Sequence, residues 1–392
     1  MNSINRIVLK IAVLGIKLLA TIFDIFPIKN RVVFMSRQST NVSLNYAFIL
    51  DEIKKTYTNL PAIICLSNPE IQGFVYFLCN SIKQLWFSRS SRICIVDGYI
   101  PMISIPSKRD NTYVIQLWHS LGAIKCFGYQ SLDTKAGRSS VLAKTLRMHV
   151  NYDEILGSGP GCVEAYSQAF NYPQSKIKDL GIPLIDYLID EDYSSNRGMK
   201  MKSVRESLTY LNNYKYIYLY APTFRKGAKS IHWLNEYVSH LAENLSNDSC
   251  LLVSAHPLVQ NNSCDTATNL PNVHFIKSLS TFDIMFVADC VITDYSSVAF
   301  EAGLLGRKVV FYVPDIDEYR QSPGLNIDPL KQFADVASTE ASIIINKCKT
   351  LCENHKSETD FTKYLNGYIT KNRSNSAKKI SELIVRYIDS AR

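Results

Sequence analysis

The sequence predicts an α/β protein with two doubly wound parallel-sheet domains, and three observations lead to that class. The chain has 392 residues, a length at which two domains are expected. Its composition, 46% hydrophobic and 20% charged, is typical of a folded protein and excludes long disorder or a disulfide miniprotein. Short β-rich runs alternate with helical patterns, an order that favours helices packed on parallel sheets.

The first predicted element is a helix within residues 1–28. Residues 1–40 hold six basic residues and one acidic residue, so this tenth of the chain supplies most of the net charge of +8. At about 100° per residue, Arg6, Lys10 and Lys17 fall within one narrow arc of the helix, and the rest of its circumference is apolar. Because the basicity is N-terminal, no nucleic-acid partner is expected.

Four interpretations of this helix are open. A secretory signal peptide needs a small-residue cleavage site after its apolar core, whereas Asp24 and Pro27 follow here. A transmembrane span would carry Lys10, Lys17 and Asp24 into the bilayer at high cost. A helix packed on the protein core is the third interpretation. A helix lying in the membrane interface matches both the polar stripe and the excess of cations, so we expect residues 1–28 to form an amphipathic, membrane-associating helix.

The predicted strands, which follow this helix, fall into two series of near-continuous apolar runs. Such runs are the pattern of buried parallel strands. The predicted strands are 32–35, 62–66, 93–96 and 113–117 in the first series and 216–220, 251–253, 273–276, 291–293 and 309–313 in the second. The polar stretch 191–202 separates the two series and is the predicted boundary. We therefore expect an N-terminal domain over 29–190, a C-terminal domain over 203–345, and helices over 346–392 that pack back on the domains.

The ten cysteines include no C-x-x-C pair, and several lie inside apolar runs. They are therefore interpreted as reduced core residues, which indicates a cytosolic compartment.

In folds of this class, ligands bind beyond the carboxyl ends of the strands. Four segments qualify, and they begin at Trp118, Ala221, Ser254 and Asp294. Side chains that bind or react with a ligand are therefore expected in these segments.

The segment after Asp294 suits a phosphate group. Ser296 or Ser297 can cap a following helix, whose free N–H groups and positive dipole end favour phosphate oxygens. Glu301, one turn beyond Ser297, lies on the same face and could accept hydrogen bonds from ribose or glycerol hydroxyls. The alternative is an ordinary capped helix with a solvated glutamate.

His119 and His256 each follow an apolar strand, one in each predicted domain. Imidazole titrates where a general base must work, although a lone histidine is more often a packed or surface residue. If the domains close, both rings are expected to face the same cleft. Arg225 could clamp a phosphate, with a solvated loop residue as the alternative.

No metal site is predicted. The sequence lacks H-E-x-x-H and C-x-x-C spacings. Asp315 and Asp317 form a D-x-D string that could hold a divalent metal, but such a string is more often a loop turn.

Five ordered motifs carry a resemblance to a known family. They are the run 291–301; its continuation through 309–312, 317–319 and 324–325; the run 116–119 with Gly122, Lys125, Phe127 and Gly128; the run 220–225; and the pair His256 and Pro257. Together these motifs, which cover most of the chain, closely resemble the CDP-glycerol glycerophosphotransferase family of teichoic-acid synthesis. The pattern around His119 is similar to the primase-type branch, which adds the first glycerol phosphate to a lipid-linked disaccharide.

The resemblance implies a GT-B-like pair of Rossmann-type domains facing a central cleft, and transfer of a polyol phosphate from a CDP-activated donor with CMP leaving. The implied partners are CDP-glycerol, a lipid-linked saccharide acceptor and the cytoplasmic face of the membrane, where the protein would be peripheral. No cofactor is implied, and a divalent metal is left open.

The resemblance also assigns roles to residues. His119 and His256 would be catalytic, with His119 as the candidate base. The substrate-binding residues would be Trp118, Gly122, Lys125, Thr223, Arg225, Asp294, Ser296, Ser297 and Glu301.

Three alternatives stay open at this stage. The first is a CDP-ribitol-using transferase or polymerase, and the second is a nucleotide-sugar glycosyltransferase on the same fold. The third is a non-catalytic, membrane-bound scaffold.

Overall fold

The computed structural model describes residues 3–68, 73–223, 225, 230–254, 270–354, 358–369 and 375–389. The chain folds into two compact units, each with its own six-stranded sheet in which every strand pair is parallel. The first unit comprises 1–120, 128–186 and 372–392, and the second comprises 121–127 and 187–371. The predicted class of two doubly wound parallel-sheet domains is confirmed.

The strands lie in chain order as β1 (Lys29–Ser36), β2 (Ala62–Leu66), β3 (Ser91–Val96), β4 (Tyr113–Gln116), β5 (Glu154–Leu156), β6 (Ile177–Lys178), β7 (Tyr216–Tyr220), β8 (Ser249–Val253), β9 (Val273–Phe275), β10 (Cys290–Thr293), β11 (Lys308–Tyr312) and β12 (Ala337–Ser338).

The α-helices within the described residues are α1 (Ser3–Phe23), α2 (Leu44–Thr56), α3 (Phe74–Ser90), α4 (Pro101–Ser104), α5 (Ser140–Thr145), α6 (Val163–Phe170), α7 (Pro183–Ile189), α8 (Ser194–Ser207), α9 (Ser230–Ala242), α10 (Thr281–Met285), α11 (Val298–Leu304), α12 (Ile316–Gln321), α13 (Pro329–Gln332), α14 (Ala341–Glu353), α15 (Asp360–Tyr368) and α16 (Ser376–Asp389).

The first sheet has the order β2-β1-β3-β4-β5-β6, and the second has the order β12-β11-β10-β7-β8-β9. In the first sheet the strand order reverses at β1 and β3, and in the second it reverses at β7 and β10. Crevices outside the carboxyl ends of strands at such reversals bind ligands in doubly wound folds. The central strands β1, β3, β7, β8 and β10 are largely buried, which explains their continuous apolar runs.

Helix α1 packs on the first unit along one stripe. Ala20 is buried, Phe23 meets Trp86 of α3 edge to face at 5.1 Å between ring centroids, and Asp24 pairs with Arg89 through two hydrogen bonds of 2.7 and 2.8 Å. Another face of the helix is exposed and apolar, with Ile7, Val8, Ile11, Leu14 and Leu18 between 59% and 67% exposed. None of the described helices is long and apolar enough to cross a bilayer.

The units divide the chain differently from the predicted domains in three places. Residues 121–127 belong to the second unit, and the boundary near the predicted linker lies between Asp186 and Tyr187. The polar stretch 191–202 is largely helical, because most of it lies in α8. Helices α14 and α15 belong to the second unit, whereas α16 belongs to the first.

A buried hydrogen-bonded pair holds α16 on the first unit. The backbone N–H and the hydroxyl of Ser376 donate to the two carboxylate oxygens of Asp186, at 2.5 and 2.8 Å. Near the other end of α16, the Tyr387 ring stacks on Tyr113 of β4.

Candidate functional site

The turn after β4 presents His119 at the carboxyl edge of the first sheet. Trp118 has a φ of 60°, the left-handed region that a bulky residue rarely adopts. The amide of Gln116, which is fully buried, stabilises this turn from both ends: its Oε1 accepts from the Trp118 N–H at 3.0 Å, and its Nε2 donates to the Gly98 carbonyl at 3.1 Å. Strain of this kind is found at functional sites held by their surroundings.

The ring of His119 is oriented by the neighbouring strand. Its Nδ1 lies 2.8 Å from the backbone carbonyl of Asp97, directly after β3. Because a carbonyl oxygen can only accept, Nδ1 carries the proton in this hydrogen bond. In the neutral ring, Nε2 therefore has the lone pair, and this arrangement suits a general base.

The side chain of Asp97 is buried. It is 5% exposed, and its Oδ1 has no hydrogen-bond partner among the described residues. Burial raises the pKa of Asp97 to about 7, although a hydrogen bond from Ser36 partly opposes that shift.

Aromatic rings enclose Trp118 on one side. Its ring meets Phe170 edge to face at 5.0 Å and His149 at 6.1 Å between centroids. Burial, together with the positive charge of Arg138, lowers the pKa of His149 to about 3, so this second imidazole is neutral at physiological pH. His149 is thus part of the packing that supports the turn.

In the second unit, Thr223 and Asp294 join the ends of β7 and β10, where the strand order reverses. Oδ1 of Asp294 accepts hydrogen bonds from the N–H and the hydroxyl of Thr223, at 2.8 and 2.7 Å, and from the N–H of Tyr295. Both residues are buried. Their observed contacts are with protein groups, and their predicted role toward a substrate stays a prediction.

Arg225 is enclosed by two carboxylates. Its Nε and Nη2 donate to Asp315 at 2.9 and 3.1 Å, and its Nη1 lies 2.8 Å from Oδ2 of Asp294. That Nη1 donates to the Thr223 carbonyl, and its approach to Asp294 is too bent for a hydrogen bond. Burial alone would lower the pKa of Arg225, but the two carboxylates outweigh it and raise the pKa.

Aromatic faces complete this enclosure. The guanidinium carbon of Arg225 lies 4.5 Å from the ring centroid of Tyr319 and 4.7 Å from that of Trp233. Tyr319 in turn stacks on Tyr295, with 3.8 Å between centroids. Desolvated cation–π contacts of this kind stabilise a guanidinium and fix its plane.

Ser296 and Ser297 lie at the start of α11 and are partly exposed. Ser296 accepts a hydrogen bond from the Val298 N–H at 3.4 Å, whereas the side chain of Ser297 makes no capping hydrogen bond. Capping is therefore carried weakly by Ser296. Both residues follow the carboxyl end of β10, the position that the sequence predicted for them.

Glu301 follows on α11 and is half-buried. Burial raises its pKa from the ordinary 4.5 to about 7. The unfolded chain therefore ionises first as pH rises, and the folded state loses stability between about pH 4.5 and 7.

We expect Glu301→Gln to match the wild type in stability at pH 4 and to exceed it by about 1–3 kcal/mol at pH 8. Urea unfolding at the two pH values measures this difference. An equal difference at both values would contradict it.

The segment 121–127 packs within the second unit. A Cβ on Gly122 would lie 2.1 Å from a ring carbon of Phe300 on α11, so only glycine fits this approach. Lys125 pairs with Leu325 in an isolated antiparallel bridge, and the Cys126 N–H donates to the Gly324 carbonyl at 2.9 Å. Gly122 thus has a packing role, and its predicted contact with substrate is untested.

Two predictions concern residues outside this geometry. His256 lies outside the described residues. In the D-x-D string, Asp315 pairs with Arg225 and Asp317 pairs with Arg320. Within the described part of the chain, no group of three or more His, Cys, Asp or Glu side chains is arranged to hold a metal ion.

The sequence did not indicate that Gln116 stabilises the turn through hydrogen bonds, or that the Asp97 carbonyl is the hydrogen-bond partner of His119. A signal for Asp97 was present, because it directly follows the apolar run 93–96. The aromatic enclosure of Arg225 by Trp233 and Tyr319 had no local signal.

Comparison with known proteins identifies a matching family and several relatives. The profile of a family described as CDP-glycerol:poly(glycerophosphate) glycerophosphotransferase matches residues 19–386. The teichoic acid ribitol-phosphate primase of Bacillus spizizenii is 26% identical over 397 residues, which cover 99% of this chain and 98% of that protein. The teichoic acid glycerol-phosphate primase of Bacillus subtilis is 27% identical over 297 residues, or 75% of each.

A third relative is longer. The teichoic acid poly(ribitol-phosphate) polymerase of Bacillus spizizenii is 29% identical over 318 residues, which cover 76% of this chain and 47% of that polymerase. The chain therefore spans about half the length of that relative.

Solved structures show the same fold. A structure of the wall teichoic acid polymerase TagF with CDPG matches with a TM-score of 0.74 and 20% identity, covering 100% of both chains. UDP-GlcNAc 2-epimerase from Neisseria meningitidis matches with a TM-score of 0.56 and 14% identity, covering 91% of this chain and 99% of that one. At these identities the likeness concerns the fold, and the predicted GT-B-like class is confirmed.

Proposed function

Because the chain belongs to the CDP-glycerol:poly(glycerophosphate) glycerophosphotransferase family, we propose that it transfers glycerol phosphate from CDP-glycerol to a hydroxyl of a lipid-linked saccharide. CMP is the leaving group, and the product belongs to teichoic acid or a related surface polymer. The observation that carries this proposal is the His119 ring, whose Nδ1 is bonded to the Asp97 carbonyl so that Nε2 can accept a proton.

In the proposed reaction, the acceptor oxygen attacks the β-phosphorus of the donor. The new P–O bond forms as the bond from that phosphorus to the CMP oxygen breaks, and CMP leaves with the electron pair. Nε2 of His119 takes the hydroxyl proton. Catalysis of phosphoryl transfer is mainly positioning and electrostatic stabilisation, and the braced turn at Gln116 and Trp118 supplies positioning.

The second unit would hold the donor. Hydroxyls of Ser296 and Ser297 are suitable donors to diphosphate oxygens, and Glu301 is a suitable acceptor for polyol or ribose hydroxyls. Arg225 would act from its carboxylate enclosure, by fixing Asp294 and Thr223. No cofactor is assigned a step in this reaction.

CDP-ribitol is the second candidate donor. It is favoured by the ribitol-phosphate primase that aligns over 99% of this chain and 98% of its own length. Glycerol and ribitol phosphates share the diphosphate chemistry, and they differ in the number of hydroxyls that the site must accept.

The test is CMP release by the full chain from CDP-glycerol, CDP-ribitol and a UDP-sugar, each with and without a disaccharide acceptor. Acceptor-dependent release from CDP-glycerol is the expected result. Release from CDP-ribitol alone would replace the donor and keep the reaction class. Release of UDP alone would identify a glycosyltransferase, and no release with any donor would overturn the proposal.

We also propose that the protein is peripheral and docks on the cytoplasmic face of the membrane through α1. Lys10 and Lys17 lie beside the exposed apolar face of α1. This combination of cations and apolar side chains suits an anionic lipid surface. Helix α3, on which α1 packs, adds exposed Val75 and Ile82, at 73% and 44%.

Removal of residues 1–28 is a poor test of this docking, because it would leave Arg89 without Asp24. We expect Ile11→Ser, Leu14→Ser and Leu18→Ser in combination to weaken binding to anionic vesicles roughly 10-fold or more. Activity should fall on a lipid-linked acceptor and persist on a short water-soluble one.

The matched control replaces exposed apolar residues elsewhere, Val141→Ser with Ile343→Ser, which are 49% and 45% exposed. Vesicle co-sedimentation measures the binding. Equal binding by both variants, or equal loss of activity on both acceptors, would contradict a docking role for α1.

A further inference from the structure

Two arginines of the first unit, Arg37 and Arg138, lie near the carboxyl edge of its sheet. Arg37 directly follows β1, and Tyr99, which Arg138 contacts, lies three residues after β3. These strands are adjacent and parallel, with Met35 opposite Val96, so both residues emerge at the point where the strand order reverses. This position is the ligand-binding edge of a doubly wound sheet.

Arg138 comes to the same place from the loop before α5. Its guanidinium carbon lies 5.6 Å from the ring centroid of Tyr99. The Tyr99 ring meets His149 at 5.7 Å, and His149 meets Trp118 at 6.1 Å, all between centroids. A short series of ring contacts therefore connects Arg138 to the turn that carries His119.

The two guanidiniums carry like charges, and both interact electrostatically with Tyr99. Burial, and then the charge of Arg138, lower the pKa of Arg37. Nε of Arg37 is buried and has no hydrogen-bond partner within the described residues. The face of Arg37 is partly covered by Phe77, whose ring centroid is 5.6 Å from the guanidinium carbon.

Some arginines in the described part of the chain are neutralised by carboxylates. Arg89 pairs with Asp24, and Arg225 pairs with Asp294 and Asp315. In the described ranges, neither Arg37 nor Arg138 has an aspartate or glutamate within ion-pair distance. Two like-charged guanidiniums with no carboxylate partner among the described residues are favourable for an anion, and guanidinium groups match phosphate oxygens in geometry.

We propose that Arg37 and Arg138 bind a phosphate group of the acceptor, beside the base that receives the acceptor's proton. This inference rests on the proposed function, and it deepens that function by assigning two residues that would hold the acceptor. Such a phosphate has two possible sources: a terminal polyol phosphate already on the saccharide, or the diphosphate that joins the saccharide to its lipid. Both present the same oxygens to the arginines.

Isothermal titration calorimetry on the full chain tests the site without relying on turnover. The probes are a disaccharide with one terminal glycerol phosphate, the same disaccharide on a short prenyl diphosphate, and the bare disaccharide. We expect Arg138→Ala and Arg37→Ala to weaken the binding of one of the two phosphorylated probes roughly 10- to 100-fold. Binding of the bare disaccharide and of CDP-glycerol should be unchanged, and the probe that is weakened identifies the source of the phosphate.

Arg138 is exposed, so its replacement is compatible with folding, and Arg37→Lys keeps a charge at the half-buried position. Lys135→Ala, in the same loop, is the matched control and should leave all three probes unaffected. If neither phosphorylated probe is weakened by Arg138→Ala or Arg37→Ala, the inference is overturned. If binding depends on the arginines but no donor releases CMP, this site stands and the proposed reaction fails.

Discussion

Replacing His119 by alanine should abolish transfer while leaving donor binding nearly intact. The proposed base acts on the acceptor proton in the transition state, so its loss raises the barrier rather than the dissociation constant of the donor. A positioned base contributes about 10²–10⁴-fold to the rate, and a loss of that size is expected in kcat. CMP release measures turnover, and calorimetric titration with CDP-glycerol measures donor affinity.

His240→Ala is the matched control, because His240 lies exposed on α9. It should release CMP at the wild-type rate. Turnover of the His119 variant within about threefold of wild type would remove this residue from the chemistry, since a general base contributes far more. An equal loss of donor affinity would instead indicate that His119 holds the nucleotide.

Arg225→Ala should strongly destabilise the second unit. The substitution leaves Asp294 and Asp315, at 2% and 15% side-chain exposure, without their cation. Removing one partner of a buried ion pair costs about 3–5 kcal/mol, because the remaining charge stays desolvated. Urea unfolding measures the loss, and donor affinity should fall with it as Thr223 and Asp294 lose their contacts with Arg225.

Arg320→Ala provides the comparison. Arg320 also contacts two carboxylates, Asp317 and Asp328, but its side chain is 37% exposed and water screens the pairs. A much smaller change in stability is expected there. If the two variants unfold at the same urea concentration, the enclosure of Arg225 does not contribute to stability as argued.

The sequence predicted much of the fold because buried parallel strands have a strong local signature. All nine predicted strands are present, each with near-continuous apolar residues. The three that were missed, β5, β6 and β12, have two or three residues each. Runs this short have no periodicity of their own, and they are strands only because a neighbouring strand pairs with them.

Unit membership is likewise a tertiary property. Segment 121–127 follows the predicted strand 113–117 directly in the chain, yet Gly122 packs on Phe300, about 180 residues away in sequence. Helix α16 comes last in the chain, but the carboxylate of Asp186 fixes it to the first unit. Local patterns carry no information on such pairings.

For the candidate site, the sequence by itself determined which residue types follow the strands, and that was enough to select His119, Arg225, Ser296, Ser297 and Glu301. Only the tertiary structure decided their chemical states. The Asp97 carbonyl sets the tautomer of His119, and carboxylates 69 and 90 residues from Arg225 enclose that guanidinium. The reason is physical: residue type follows from the chain, whereas tautomer, pKa and ion pairing depend on burial and on partners that folding brings from distant segments.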